Sequence, residues 1–294
     1  MTTRFRVVHR TVYEYGQPMA DGFTAAHLHP RTTPWQTVVG ADLEIVPSPD
    51  ERYDTTDAFG NPVTRFAVHH AHAALDITST VVVDVELQPV PDESPPWEAV
   101  VAAAARSRDD VAVAVGPYLA HTAATPRDAG LAALVDPEFT AGRPVVDAVR
   151  GLCRRIFGEF AFDAGFSDVS TPLDAVLQAR RGVCQDFAHV ACAALRSVGL
   201  PARYVSGYIE TVPPPGQPKL VGVDASHAWC SVWAGEHGWL DLDPTNDQMP
   251  PLRHVTVGWG RDYDDVAPVR GVVIGPGGGQ TLSVSVDVVS ENRQ

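Results

Sequence analysis

Apolar and polar positions alternate along the first ninety residues. In FRVVHRTVYEY, residues 5–15, Phe5, Val7, Thr11, Tyr13 and Tyr15 fall on one face and most of the charges on the other, the period-two pattern of a half-buried strand. The pattern recurs at 37–46, 63–69 and 75–87, with turn chemistry such as Phe59-Gly60-Asn61-Pro62 between runs. Repeated strands without a long helical period predict an antiparallel β-rich domain over residues 1–92. The proline-rich stretch Pro89–Pro96 reads as its linker.

Beyond the linker the period changes. Residues 97–160 are alanine-rich, with helical apolar spacing in Trp97–Ala105, Val111–Leu119, Gly130–Leu134 and Val145–Phe160. Thr171-Pro172 opens a further helix to Ala179. After a break at Arg180-Arg181-Gly182, a helix runs from Cys184 to Val198, where Gly199-Leu200-Pro201 stops it. Strands follow at Ala202–Glu210, His227–Trp233, Trp239–Asp243 and Thr281–Val289. Helices first and strands after predict an α+β second domain over residues 93–294.

Composition narrows the class. A chain of 294 residues with 45% hydrophobic content can build a full-sized core. No window approaches ~18 consecutive apolar residues, so no membrane span is expected. The first ten residues, MTTRFRVVHR, lack the apolar core of a signal peptide, which predicts a cytoplasmic location. Net charge is −14, from 22 basic and 36 acidic residues, and no basic patch stands out. Neither a nucleic-acid nor a membrane partner is therefore expected. Lys219 is the single lysine. The five histidines at 27, 29, 69, 70 and 72 read as surface strand residues, because no carboxylate or cysteine stands beside them at ligand spacing. The acids of 262–265 read as a turn or helix cap, and no metal or cofactor is expected.

Four cysteines stand at 153, 184, 192 and 230, with no C-x-x-C pair, which predicts free thiols. Cys153 and Cys192 are flanked by alanine or leucine and fit inert core positions. Cys184 opens a helix two residues after a glycine, where unpaired backbone N–H groups favour an anion; Arg180 and Arg181 add positive charge. A nucleophilic thiol needs a base. His189 is five residues on, about 140° further round the helix, so it points away and reads as structural. His227 starts a strand and shares its face with Trp229, Ser231 and Trp233. Asp241 and Asp243 lie on one strand face no more than sixteen residues beyond it.

Strand parity decides whether these residues can meet. If Ala234 pairs with Trp239, Asp243 points away from His227. If Trp233 pairs with Trp239, then Trp229 opposes Asp243, and His227 lies diagonal to it on one face.

The order Cys, His, Asp is where a resemblance emerges. Residues 181–189 (RGVCQDFAH) with 200–208 (LPARYVSGY), 225–229 (ASHAW) and 238–246 (GWLDLDPTN) resemble the Cys, His and Asp blocks of the transglutaminase-like superfamily. The tail from His254 to Pro268 is similar to the bacterial branch. Tyr13-Glu14-Tyr15 and Asp57–Asn61 resemble its β-rich N-terminal region. The resemblance implies a papain-like core, helices packed on an antiparallel sheet, with Cys184 as nucleophile, His227 as general base and acid, and Asp243 as the orienting acid. It further implies acyl transfer on an amide or isopeptide bond of a peptide or protein, released to water or to an amine. The alternative is a binding or scaffold module with a residual site, against which stands the presence of all three residues.

Overall fold

The computed structural model describes residues 2–106, 110–211, 226–251 and 253–291; Lys219 and Ala225 lie outside the described residues. The alternating N-terminal stretch forms β1 (Thr2–Met19), β2 (Asp21–Ala26), β3 (Gln36–Val46), β4 (Glu51–Thr56), β5 (Pro62–Val68) and β6 (His72–Glu86). Helices α1 (Trp97–Arg106), α2 (Asp110–Val115), α3 (Ala132–Val135) and α4 (Val145–Glu159) come next. They are followed by β7 (Ala161–Phe162), α5 (Leu173–Ala179), β8 (Arg181–Gly182) and α6 (Cys184–Ser197). The chain then runs through β9 (Ala202–Ile209), β10 (Ser226–Trp233), β11 (Trp239–Leu242), β12 (His254–Gly260), β13 (Val269–Ile274) and β14 (Gln280–Glu291). The fold is α+β, with antiparallel sheets throughout except the short parallel pair β7–β8.

Three four-stranded sheets carry the architecture, in orders β14-β1-β6-β3, β13-β2-β5-β4 and β11-β10-β9-β12. The first two are completed by the end of the chain. β14 pairs with β1 from Arg4↔Glu291 to Tyr15↔Gln280, and β13 pairs with β2. Residues 269–291, expected with the second domain, thus sit in the sheets of the N-terminal region. Val286 and Val288 are buried there beside Phe5 and Val7. Alternation marked this segment as a strand but carried no information about its partner, which lies at the other end of the chain.

Strands β1 and β6 are long, and one inner face of β6 serves two neighbours. Leu75 and Ile77 pack with Phe66 and Val68 of the second sheet, whereas Val81 and Val83 pack with Tyr208, Val255 and Val257 of the third. The third sheet buries its other contacts against α6. Ala228, Cys230, Val232, Leu240 and Leu242 meet Ala188, Ala191, Cys192 and Leu195 there. Alanines on α6 allow this close approach, and the helix is buried on nearly every side, as expected of a central core helix.

Strand β12 lies at the edge of the third sheet, and side-chain amides from the N-terminal region occupy its free backbone groups. Gln36 donates to Thr256 O and accepts from Thr256 N, at 2.7 and 2.9 Å. Asn61 does the same at Trp259, at 2.8 and 2.9 Å. An otherwise open edge is thereby closed.

The histidine cluster differs from its sequence reading. His69 and His70 are exposed, but His72 is buried and His27 and His29 are partly so. Carboxylates are also close: Asp21 lies 2.8 Å from His69 Nδ1 and Asp50 lies 3.0 Å from His70 Nδ1. Neither acid is near in sequence; the sheets bring them in.

Gly207 of β9 faces the same side as His227 and Thr256. A Cβ there would lie 2.0 Å from Val255 O and 2.7 Å from the Trp229 ring. Gly207→Ala is expected to lower the stability of the chain by about 3 kcal/mol, since backbone cannot yield cheaply. Gly40→Ala, with nothing within 4 Å, should leave it almost unchanged. Denaturant midpoints of the two variants check this.

Candidate active site

The site is built where the N-terminus of α6 meets the start of β10 and the end of β11. Val183 is the extended N-cap of α6, and its N–H is bonded by Asp186 Oδ2 at 2.7 Å. Ser167 Oγ donates to the same oxygen at 2.5 Å. A Cβ at Gly182 would lie 2.6 Å from that carboxylate, so the glycine is needed for the turn. Cys184 follows as the first residue of the helix and is half-buried. Its position leaves first-turn N–H groups without intrahelical acceptors. Cys153, Cys192 and Cys230 are sealed in the core, with the last two sulfurs 3.5 Å apart. Burial pushes the Cys153 and Cys230 thiols up.

Strand register is the one that lets the three residues meet. Trp233 pairs with Trp239, Ser231 with Asp241 and Cys230 with Leu242. His227 and Asp243 therefore share a face, and His227 Nε2 lies 2.8 Å from Asp243 Oδ2. Asp243 is wholly buried, yet both of its oxygens are occupied. Oδ2 also takes His254 Nε2 at 2.8 Å and Asn246 Nδ2 at 2.6 Å, and Oδ1 accepts from Thr245 N at 2.9 Å. Asp241, the other acid on the strand, instead accepts from the Trp229 indole at 3.2 Å.

A carboxylate can only accept, so both imidazoles must present Nε2–H to Asp243. That fixes Nδ1 of His227 as the atom free for other chemistry. Desolvation opposes a charged His227, but its bonds to Asp243 and to the Cys184 side chain outweigh this and raise its pKa to about 10. Desolvation would likewise raise Asp243, yet the two histidines hold it far below the usual carboxylate range. His254 goes the other way: burial lowers it, so it is the neutral member of the pair. The Trp229 ring stacks near His227 at 6.1 Å and meets His254 edge-on at 4.9 Å, keeping water from the ion pair.

His254 opens the tail that is similar to the bacterial branch, and no local pattern assigns it a role. The only trace of it is its place in the alternation His254-Val255-Thr256-Val257. That β12 joins β9 and so reaches Asp243 is decided by the sheet order. His189, read as structural, accepts from Tyr263 N at 3.1 Å and packs on Tyr204; burial holds its pKa down at about 4. Asp262 caps a short turn, accepting from Asp264 N at 3.0 Å, and Asp265 pairs with Arg261. His227, Asp243 and His254 are a group with metal-ligand composition among the described residues, their donor atoms within 4.8 Å of one another. As arranged, both Nε2 atoms donate to the carboxylate, so a cation there would require both protons to leave.

Residues 5–84 match the bacterial transglutaminase-like N-terminal region and residues 135–244 the transglutaminase-like superfamily. Over 297 aligned residues, covering 98% of this chain and 93% of the relative, it is 41% identical to the uncharacterized protein Rv2569c of Mycobacterium tuberculosis. A solved cysteine-protease candidate from Cytophaga hutchinsonii superposes with a TM-score of 0.76 at 20% identity. That match covers 100% of this chain and 92% of the other. A shorter match, 38% identical over 78 residues, links 26% of the chain to 12% of a protein-glutamine gamma-glutamyltransferase of Pseudomonas aeruginosa. The chain belongs to the bacterial transglutaminase-like superfamily. No helix among the described residues is long and apolar enough to cross a membrane.

The charge on His227 has a stability consequence. Above about pH 6.5 the unfolded histidine loses a proton that the folded one keeps until about pH 10. The contribution is complete below pH 6.5 and is lost as pH rises through that window. His227→Gln should flatten the fall in unfolding free energy across it by up to about 1.4 kcal/mol per pH unit, the value of one proton. Urea titrations of both proteins at stepped pH check this.

Proposed function

We propose that the protein is a cysteine-dependent acyl-transfer enzyme acting on amide or isopeptide bonds. The observation that carries the reading is His227, held between the buried Asp243 carboxylate and the Cys184 side chain. With its proton taken up by His227 Nδ1, the Cys184 thiolate attacks the amide carbonyl carbon, and the C=O π electron pair moves onto oxygen. The Cys184 backbone N–H, at the start of α6, is one donor to that oxyanion. Collapse breaks the C–N bond as His227 delivers its Nδ1 proton to the leaving amine, which leaves a thioester and a neutral imidazole.

Water or a second amine then attacks the thioester, giving its proton to His227 Nδ1, and the thiolate departs. Asp243 never takes the proton; it keeps Nε2–H directed at itself and steadies the imidazolium. Hydrolysis is the favoured outcome, because no feature among the described residues marks a channel for a lysine side chain. The match to a gamma-glutamyltransferase segment supports acyl chemistry of this kind.

An activity screen with amide, γ-glutamyl and ester substrates tests the reading. Cys184→Ala should reduce turnover about ten-thousand-fold or more with the melting temperature nearly unchanged, since the thiol is half-buried and adds little to the core. A variant that keeps turnover would overturn the mechanism. Iodoacetamide at near-neutral pH should label Cys184 well ahead of the three buried thiols; mass spectrometry of peptides reads the order, and equal slow labelling would favour a scaffold role.

A further inference from the structure

A large cavity lies beside the site without Cys184 in its lining. It encloses about 840 Å³ between the N-terminal region and the third sheet, walled by Trp35, Tyr118, Arg203, Trp239, Asp241 and Trp259, with His254 at one side. A space of this size suits a small ligand of one to a few residues.

Its distinctive feature is a buried guanidinium with one N–H left without an acceptor. Arg203 is only 8% exposed, and its Nε has no hydrogen-bond partner. Its guanidinium is bonded to no group among the described residues, while the rings of Trp239 and Trp259 lie 4.3 and 3.6 Å from its central carbon. Those rings occupy its faces, so hydrogen bonds can be made only through its N–H edge. Arg31 lies 3.3 Å from the Trp259 ring centre; two guanidiniums that close to one ring can only sit on opposite faces. Arg31 is anchored by Phe59 O and Asn61 Oδ1, but Arg203 has no such anchor. Leaving a buried N–H of a cation without an acceptor is costly.

Register supplies the second half. Arg203, Ser231 and Asp241 form a row across β9, β10 and β11, and Ser231 Oγ is likewise buried without a partner. Strands two apart place the Arg203 and Asp241 backbones about 10 Å from one another, and Asp241 acts on the Arg203 cation through its charge. Asp241 uses Oδ2 for the Trp229 indole and has Oδ1 to spare. Glu86 is the other acid on the wall, across the cavity in the N-terminal region. A positive and a negative group, set apart in an indole-lined space, match a ligand that carries a carboxylate and a nearby N–H.

We propose that this cavity is a binding site for the carboxylate end of an amino acid or peptide, with Arg203 taking the carboxylate and Asp241 the α-N–H. The proposal holds whether or not Cys184 is a nucleophile. His254 joins the two places: its Nε2 bonds Asp243, while it also lines the cavity and its buried Nδ1 is unpartnered.

The test uses the full chain carrying Cys184→Ala, so that no probe is consumed. N-acetyl-L-phenylalanine, its neutral amide and 3-phenylpropanoate are titrated while the six indole N–H signals are followed by NMR. Trp35, Trp229, Trp239 and Trp259 line the cavity; Trp97 and Trp233 do not and serve as internal controls. The acid should shift the cavity indoles saturably and leave the controls in place, with the amide at least tenfold weaker and 3-phenylpropanoate several-fold weaker. Arg203→Gln should erase the preference for acid over amide. Shifts confined to the control indoles, equal binding of acid and amide, or no saturation by about 30 mM would overturn the site. Equal binding of 3-phenylpropanoate would overturn the role of Asp241. Should Arg203→Gln fail to fold, the acid–amide comparison and the pattern of shifted indoles in the parent still decide the outcome.

Discussion

Asp243 is a wholly buried carboxylate, and its neighbourhood is arranged to keep it charged. Unpaired, such an ion would cost several kcal/mol. Here three donors converge on Oδ2 and one backbone N–H on Oδ1. One donor is a charged imidazole and another a neutral one, so the local charge balances with a single ion pair. Both tautomers follow from this, and so does the direction in which His227 presents its remaining nitrogen. The donors come from β10, β12 and the turn after β11, so the site exists only once those segments are docked.

The N-terminal region is structurally bound to that docking. Its amides from Gln36 and Asn61 hold the free edge of β12, the strand that carries His254. Its long sheet shares an apolar cluster with Val255 and Val257. Arg31 presses on Trp259, which in turn covers Arg203. The region thus supplies one wall of the large cavity as well as support for the strand beneath it. Because β13 and β14 complete its sheets, the beginning and end of the chain fold as one unit around the core.

Much of the fold was legible in the chain. Periods of two and of 3.6 separated the β-rich start from the helical middle, and the boundaries of β3, β5, α1, α4, α6 and β9 fall within two residues of their sequence readings. Shorter or less regular segments escaped: β2, β4, β12 and β13 were not read as strands. Cys184, His227 and Asp243 stood out because each occupies a position with a local signal: a helix start two residues past a glycine, a strand start, and the end of an acidic strand before Pro-Thr. Parity even stated which register the strands would need.

Local pattern determines which residues share a face, because side-chain direction follows from backbone period alone. It does not determine which strand lies next to which, and the strongest features here depend on that. His254 reaches Asp243 because β12 lies beside β9. Carboxylates meet His69 and His70 because sheets bring Asp21 and Asp50 there. Arg203 is stripped of partners because indoles from β11 and β12 close over it. The sequence by itself determined the longer, regularly patterned elements, their faces and which Cys, His and Asp positions carry a local signal. Only tertiary structure decided the hydrogen-bond count on Asp243, the charge of each histidine and the cavity beside them, since burial and long-range pairing set those energies.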